Sequence, residues 1–227
     1  MSHPLPPSGF RVALLKRARA QKYSLTLGII LLAHIGLAAL PGQQAMLIAP
    51  PLTLLLYFVG FILMRDFSRL ARVLLLTGLV ALGLSAVSLV FGNVLFLVVA
   101  LAGHSVFLLL LIVFMFTQVF REKRITLDQL MVGVIIYLLM AGFWAQVFSL
   151  VELANPGAIR VVGGSFGSRP FLTLYYFSIT TLTTAGFGDI VAVSDLARIL
   201  AAYESLLGQV YLAVFIALLM GRHFAEK

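Results

Sequence analysis

From Val73 to Phe120 the chain contains no Asp, Glu, Lys or Arg. As a helix rising ~1.5 Å per residue, this run is far longer than the ~30 Å hydrocarbon layer of a bilayer. It is too apolar for water and too long for one crossing, so it must fold back inside a membrane. The turn is expected at Phe91-Gly92-Asn93, where glycine and asparagine interrupt the apolar pattern. Composition agrees, because 62% of the 227 residues are hydrophobic and only 11% are charged, too few to cover a soluble globule. The fold class read from this is an all-α integral membrane protein.

Other apolar runs fall on either side. A basic tail, residues 1–23, carries Arg11, Lys16, Arg17, Arg19 and Lys22. Ser24 to Leu40 is a first run, ended by Pro41-Gly42, and Ala45 to Met64 is a second, broken by Arg65-Asp66-Phe67-Ser68-Arg69. The third ends at the Gly92 turn, and the fourth, Val94 to Phe120, is stopped by Arg121-Glu122-Lys123-Arg124. Leu127 to Leu150 is the fifth run, followed by a loop over 151–170 containing Gly, Ser and Pro. Phe171 to Thr184 is apolar and Thr-rich but too short to span, and Leu196 to Gly221 is the sixth spanning run. The expected plan is six transmembrane helices and one re-entrant helix. Residues 24–120 form a four-helix module, 121–222 a second domain and 223–227 a short tail.

Charge supports that count. With the N-terminus in the cytoplasm and sides alternating, only Arg160, Arg169 and Arg198 of the 16 Lys and Arg fall outside. An odd number of spans would spoil this agreement. The net charge of +8 is therefore read as topology, with some attraction to anionic lipid, and not as a nucleic-acid footprint. The first run is read as a retained helix, since Ala38-Ala39-Leu40 makes a poor leader-cleavage site. The chain is placed in the plasma (cell inner) membrane with both termini cytoplasmic. Cysteine is absent, which excludes disulfides, thiolate metal sites and cysteine nucleophiles. No paired acids, metal cluster or activated nucleophile lies at membrane depth, so neither an enzyme nor a cofactor is expected.

After the short segment comes Thr183-Thr184-Ala185-Gly186-Phe187-Gly188-Asp189. Irregular backbone at membrane depth costs several kcal/mol per unpaired peptide group unless it lines a water-filled path. Glycine permits dihedrals that L-residues resist, so successive carbonyls can turn toward one axis. A helix C-terminus aimed at the membrane centre also favours a cation there.

The segment YYFSITTLTTAGFGDI resembles the pore helix and selectivity filter of potassium channels, whose usual core is TVGYG followed by Asp. Tyr175, Tyr176 and Phe177 stand where that family carries its aromatic cuff, and Gly208 stands near its inner-helix hinge glycine. The resemblance covers roughly Leu127 to Gly221. It implies an outer helix over 127–150, a pore helix over 171–184, a filter over 184–188 and an inner helix over 196–221. It also implies a homotetramer in membrane lipid that passes monovalent cations, with K+ as permeant ion and no other cofactor. Thr184 would supply a carbonyl and a hydroxyl at the inner end, Ala185, Gly186 and Phe187 carbonyls above it, and Gly188 the outer turn. Asp189 would brace the filter at its mouth, supported by Tyr176, Phe177, Thr180 and Glu204. Leu212, Ile216 and Met220, at helical spacing below Gly208, could line a lower constriction, and Gln209 is placed toward the central cavity.

This sequence departs from the family pattern at three places. Ala185 replaces the usual valine, Phe187 replaces the usual tyrosine and its hydroxyl, and Thr180 stands where some bacterial members carry a buried glutamate. Glu204, an acid in an otherwise apolar stretch, needs a partner at that depth, and a bond to the pore helix through Thr180, Thr181 or a water is expected. The fourth run has no Lys or Arg, so the first four helices form no voltage sensor. Small residues such as Gly78, Ala81, Gly83, Ser85, Ala86 and Ser88 suit close helix packing in lipid. His34 and His104 are read as neutral residues bonded to neighbouring helices, and His223 lies at the cytoplasmic end of the sixth run. Six residues follow Gly221, so gating is expected from the membrane, protons, ions at the filter or another subunit. The leading function is passive potassium conduction, with a weakly selective cation channel and a non-conducting pore-like subunit as alternatives.

Overall fold

The computed structural model describes residues 22–40, 55–56, 58–60, 68–121, 127–167 and 169–225. Its helices are α1 (Lys22–Ala39), α2 (Ser68–Phe91), α3 (Val94–Arg121), α4 (Leu127–Ala154), α5 (Pro170–Leu182) and α6 (Asp195–Ala225). Two short strands, β1 (Ile159–Val161) and β2 (Ile190–Ala192), flank α5 in sequence. Among the described residues five helices, α1, α2, α3, α4 and α6, are long and apolar enough to cross a membrane. The expected run from Ala45 to Met64 lies mostly outside the described residues, and of it Leu55, Leu56 and Phe58 to Gly60 are helical. The tail of residues 1–23 lies outside them too, except for Lys22 and Tyr23.

The turn between α2 and α3 falls at Gly92 and Asn93 as expected. Gly92 adopts φ +63° and its N–H bonds the Ser88 carbonyl at 2.8 Å, closing α2 in the left-handed manner that glycine permits. Asn93 then accepts from the Leu95 N–H at 2.9 Å and so caps α3. Elsewhere the helices outrun the apolar runs. α4 continues past Leu150 to Ala154, because nothing breaks it before Asn155-Pro156-Gly157. α6 continues past Gly221 to Ala225. α5 is shorter than expected and ends at Leu182.

The loop over 151–170 is more ordered than its composition suggests. β1 pairs antiparallel with β2 in the register Ile159 to Ala192, Arg160 to Val191 and Val161 to Ile190. The pairing is extended by the Val162 N–H, which donates to the Asp189 carbonyl at 2.8 Å. Glu152, at the end of α4, accepts from the N–H groups of Gly157 (2.7 Å) and Ile159 (2.9 Å). The segments before α5 and after the GFG turn are thereby tied into one outer hairpin. Three-residue strands carry too short an alternation to be read from sequence.

α1 is clamped to the second domain at both ends. Asp128, in the first turn of α4, accepts from the Ser24 N–H at 2.8 Å, the Ser24 hydroxyl at 2.9 Å and the Tyr23 N–H at 3.4 Å. These amides are among the unpaired donors of a helix N-terminus, where a carboxylate is favoured. At the other end Arg169 donates to the carbonyls of Leu37, Ala38 (2.8 Å) and Leu40, the acceptors that a helix C-terminus leaves free. α1 therefore runs parallel to α4. α3 packs on α4 through Phe107, Leu111, Phe114 and Met115 against Val132, Ile135 and Ile136, all buried.

Replacing Arg169 with Leu removes charge-assisted bonds to three carbonyls at once. The expected result is a loss of roughly 2–3 kcal/mol, read as a lower thermal unfolding midpoint of the detergent-solubilised protein, with Arg169→Lys falling between the two.

Candidate functional site: the short helix and the GFG turn

α5 begins with Pro170 at its first position, where the missing N–H has no intrahelical partner to lose. Its last residue meets the middle of both flanking helices. The Tyr137 hydroxyl, ten residues beyond the start of α4, donates to the Leu182 carbonyl at 2.9 Å. Gly208, thirteen residues into α6, lies directly against the same carbonyl. A β-carbon at Gly208 would collide with that oxygen and stand 3.0 Å from its carbon, so only glycine allows this approach. α6 runs unbroken through Gly208, and close packing is the demand on that residue visible here.

Beyond Leu182 the backbone changes hand repeatedly. Thr183 is still right-handed at φ −82°, but Thr184 turns to φ +58°. Thr184 is the sole non-glycine with positive φ among the described residues. Gly186 (φ +49°) and Gly188 (φ +80°) are positive too, while Ala185 and Phe187 are not. The turn is tied back by the Thr184 N–H to the Thr181 carbonyl (2.9 Å) and the Gly186 N–H to the Thr180 carbonyl (3.1 Å). Residues 183 to 189 are all exposed on the single chain, with Phe187 at 72%.

The residues expected to support the turn divide into a buried set and an exposed set. Phe177 is buried and meets Phe148 edge-on at 5.0 Å between ring centres. Thr180 is buried, and its hydroxyl donates to the Phe177 carbonyl at 2.9 Å. Beside the turn, Tyr176 stacks on Phe187 with centroids 6.3 Å apart and planes 9° from parallel. The Asp189 carboxylate accepts from the Ile190 N–H at 3.1 Å.

Glu204 is fully buried, which rules out the lipid-interface position open to an acid on this helix. The structure corrects its expected partner. Its Oε1 is bonded to the Ser178 hydroxyl, which also lies 2.8 Å from the Ala141 carbonyl, and the Thr180 hydroxyl is engaged elsewhere. The reason is facing: Ser178 lies between α4 and α6, whereas the Thr180 hydroxyl turns back onto its own helix. One residue on, the Ser205 hydroxyl donates to the Thr181 carbonyl at 3.0 Å. Sequence reading named neither Ser178 nor Ser205. The signal available was spacing, since Leu174, Ser178 and Leu182 recur every four residues on one buried stripe of α5.

Gln209 also reaches the turn, donating through Nε2 to the Thr184 hydroxyl at 3.1 Å. Leu212 and Ile216 are exposed further along α6, and Met220 lies on the same helix with its side chain outside the described residues, as does that of His223. His34 differs from expectation in its partner. Its Nδ1 is 2.7 Å from the Ile30 carbonyl of its own helix, and its ring stacks on Tyr175 of α5 at 4.6 Å.

A family profile described as an ion channel matches residues 125–223. The chain carries an ion-channel domain. The match runs from just before α4 through α5, the GFG turn and nearly all of α6, so it contains every element described above except α1, α2 and α3. The family is not an enzymatic one. No curated protein and no solved structure matches the chain. Within the ion-channel domain, Gly208→Ala is expected to cost about 3 kcal/mol or more, because backbone must move to admit the methyl. Glu204→Ala, which leaves a buried void beside Ser178, is expected to cost roughly 2–4 kcal/mol, and Glu204→Gln less, since it keeps the size and a partner for the hydroxyl. Thermal midpoints of the purified variants check both orders.

Proposed function

We propose that the domain forms a homotetrameric pore that passively conducts potassium, with Thr184, Ala185, Gly186, Phe187 and Gly188 presenting the ion-coordinating carbonyls. The observation that carries this reading is the alternation of backbone hand at Thr184, Gly186 and Gly188. In an ordinary strand, carbonyls point alternately to opposite sides. An alternation of left- and right-handed residues instead lets them face one way, as a ring that replaces a cation's hydration shell requires. α5 aims its C-terminus at the same place, and the negative end of its dipole favours a cation there.

The tetramer is supported by what one chain leaves open. A single turn cannot surround an ion, so rotational symmetry supplies the rest. α6 spends Ala197, Glu204, Gly208 and Tyr211 on its own chain, while Tyr203, Leu207, Val210 and Val214 are exposed on other faces. Neighbouring copies and lipid would cover these. Asp189 and Tyr176 would brace the outer mouth, Phe177, Thr180 and Glu204 would hold the turn from behind, and Leu212, Ile216 and Met220 would line the inner end below Gly208. The positive-inside distribution supports a reading with both termini cytoplasmic, and the membrane proposed is the plasma membrane.

A weakly selective monovalent cation channel of the same architecture is favoured by two residues. Ala185 offers little volume to pack against α5, and Phe187 meets Tyr176 by stacking and not through a hydroxyl bond. Flux from liposomes holding the purified chain separates these readings. Potassium flux exceeding sodium flux, blocked by barium and abolished by Gly186→Ala, is the expected result. Equal sodium flux moves the assignment to the weakly selective pore. No flux of either ion removes the conducting reading.

A further inference from the structure

Among the described residues, α6 sends three side-chain links toward the short helix and its turn. Glu204 to Ser178 and Ser205 to Thr181 both end on α5. Gln209 alone reaches past the helix, to the hydroxyl of the residue where the backbone first turns left-handed. Both partners are exposed on the single chain, so burial does not force the pair together. Gln209 follows Gly208, whose contact with Leu182 sets the height of α6 against the turn.

A threonine hydroxyl has one proton and two acceptor lone pairs. A donor held on one lone pair keeps the proton off that side and leaves the two remaining directions to the proton and the other lone pair. Glutamine is neutral, so its contribution is orientation and not charge. We infer that Gln209 is a positioning residue that aims the Thr184 hydroxyl and thereby sets how tightly the inner end of the filter holds a cation. This rests on the pore reading above. Its ligand class is a bare alkali cation, or barium as a divalent mimic of potassium's size, with one Gln209–Thr184 pair from each subunit.

The test uses the full chain in planar bilayers, reading potassium current, its inhibition by barium and the potassium-to-sodium reversal potential. Gln209→Leu is expected to weaken barium inhibition roughly three- to tenfold, the worth of a lost neutral hydrogen bond, and to lower potassium preference. Gln209→Asn, polar but one methylene too short to reach, is expected to behave like the leucine variant. Thr184→Ala is expected to shift inhibition the same way, and adding Gln209→Leu to it should change inhibition no further, because the two act through one group. Unchanged inhibition in Gln209→Leu, or effects that add in the double variant, would overturn the inference while leaving the channel reading intact. An unmutated chain that passes no potassium would overturn both. A residue that only stabilised the fold would lower the unfolding midpoint without this non-additivity in barium inhibition.

Discussion

The contact between Gly208 and the Leu182 carbonyl is the constraint on which the ion-channel domain is built. A helix that stops between long apolar helices leaves its last carbonyls without intrahelical partners, and apolar side chains offer none. α5 answers with neighbours. Tyr137 donates to Leu182, Ser205 to Thr181, and the N–H groups of Thr183 and Thr184 fold back on Ile179 and Thr181. The two side-chain donors come from the two flanking helices, so α4 and α6 must both pass close to the end of α5. Glycine at 208 lets α6 do so, and Gly133 makes room in turn for the Phe215 ring where α4 meets α6. The polar chemistry of the turn and the spacing of the helices are thus one problem with one solution.

The same reasoning changes the standing of α1. In sequence it belongs with the residues before 120, apart from the ion-channel domain. In space its two ends are capped by that domain, by Asp128 at one and Arg169 at the other, and its His34 ring lies on Tyr175 of α5. Arg169 immediately precedes the first residue of α5. A shift of α1 along its axis would pull on the start of α5, whose other end carries the turn. α2 packs chiefly on α3.

Much of this was legible in the sequence, and what was not has physical reasons. Spans and the Gly92 turn follow from apolar length and one breaker, signals local to the chain. The ion-channel domain was legible through the resemblance of YYFSITTLTTAGFGDI, a short apolar segment and Gly-rich turn between two long runs, to a known channel family. The Glu204 partner was misplaced because a buried acid announces its need for a bond, whereas which hydroxyl meets it depends on the rotation of α5 about its own axis. The outer hairpin was missed because its pairing joins residues on opposite sides of α5. The caps of α1 were missed because Ser24 and Asp128 are distant in sequence, and the bond between them leaves no periodic trace.

Phe187 shows how far a substitution in a motif can be judged from chemistry alone. Without a hydroxyl it cannot anchor through a directional bond, and from sequence that reads as a loss. Here Tyr176 lies almost parallel to it and supplies a stack. Such a pair contributes ~0.5–1.5 kcal/mol beyond its buried area, about the net worth of the neutral hydrogen bond it replaces. The two differ in direction more than in strength. A hydrogen bond resists displacement along its axis and fixes a distance, whereas offset rings slide over one another at little cost. The mouth is therefore fixed in distance chiefly by the backbone ladder through Asp189 and Val162, and the ring adds contact without adding registry.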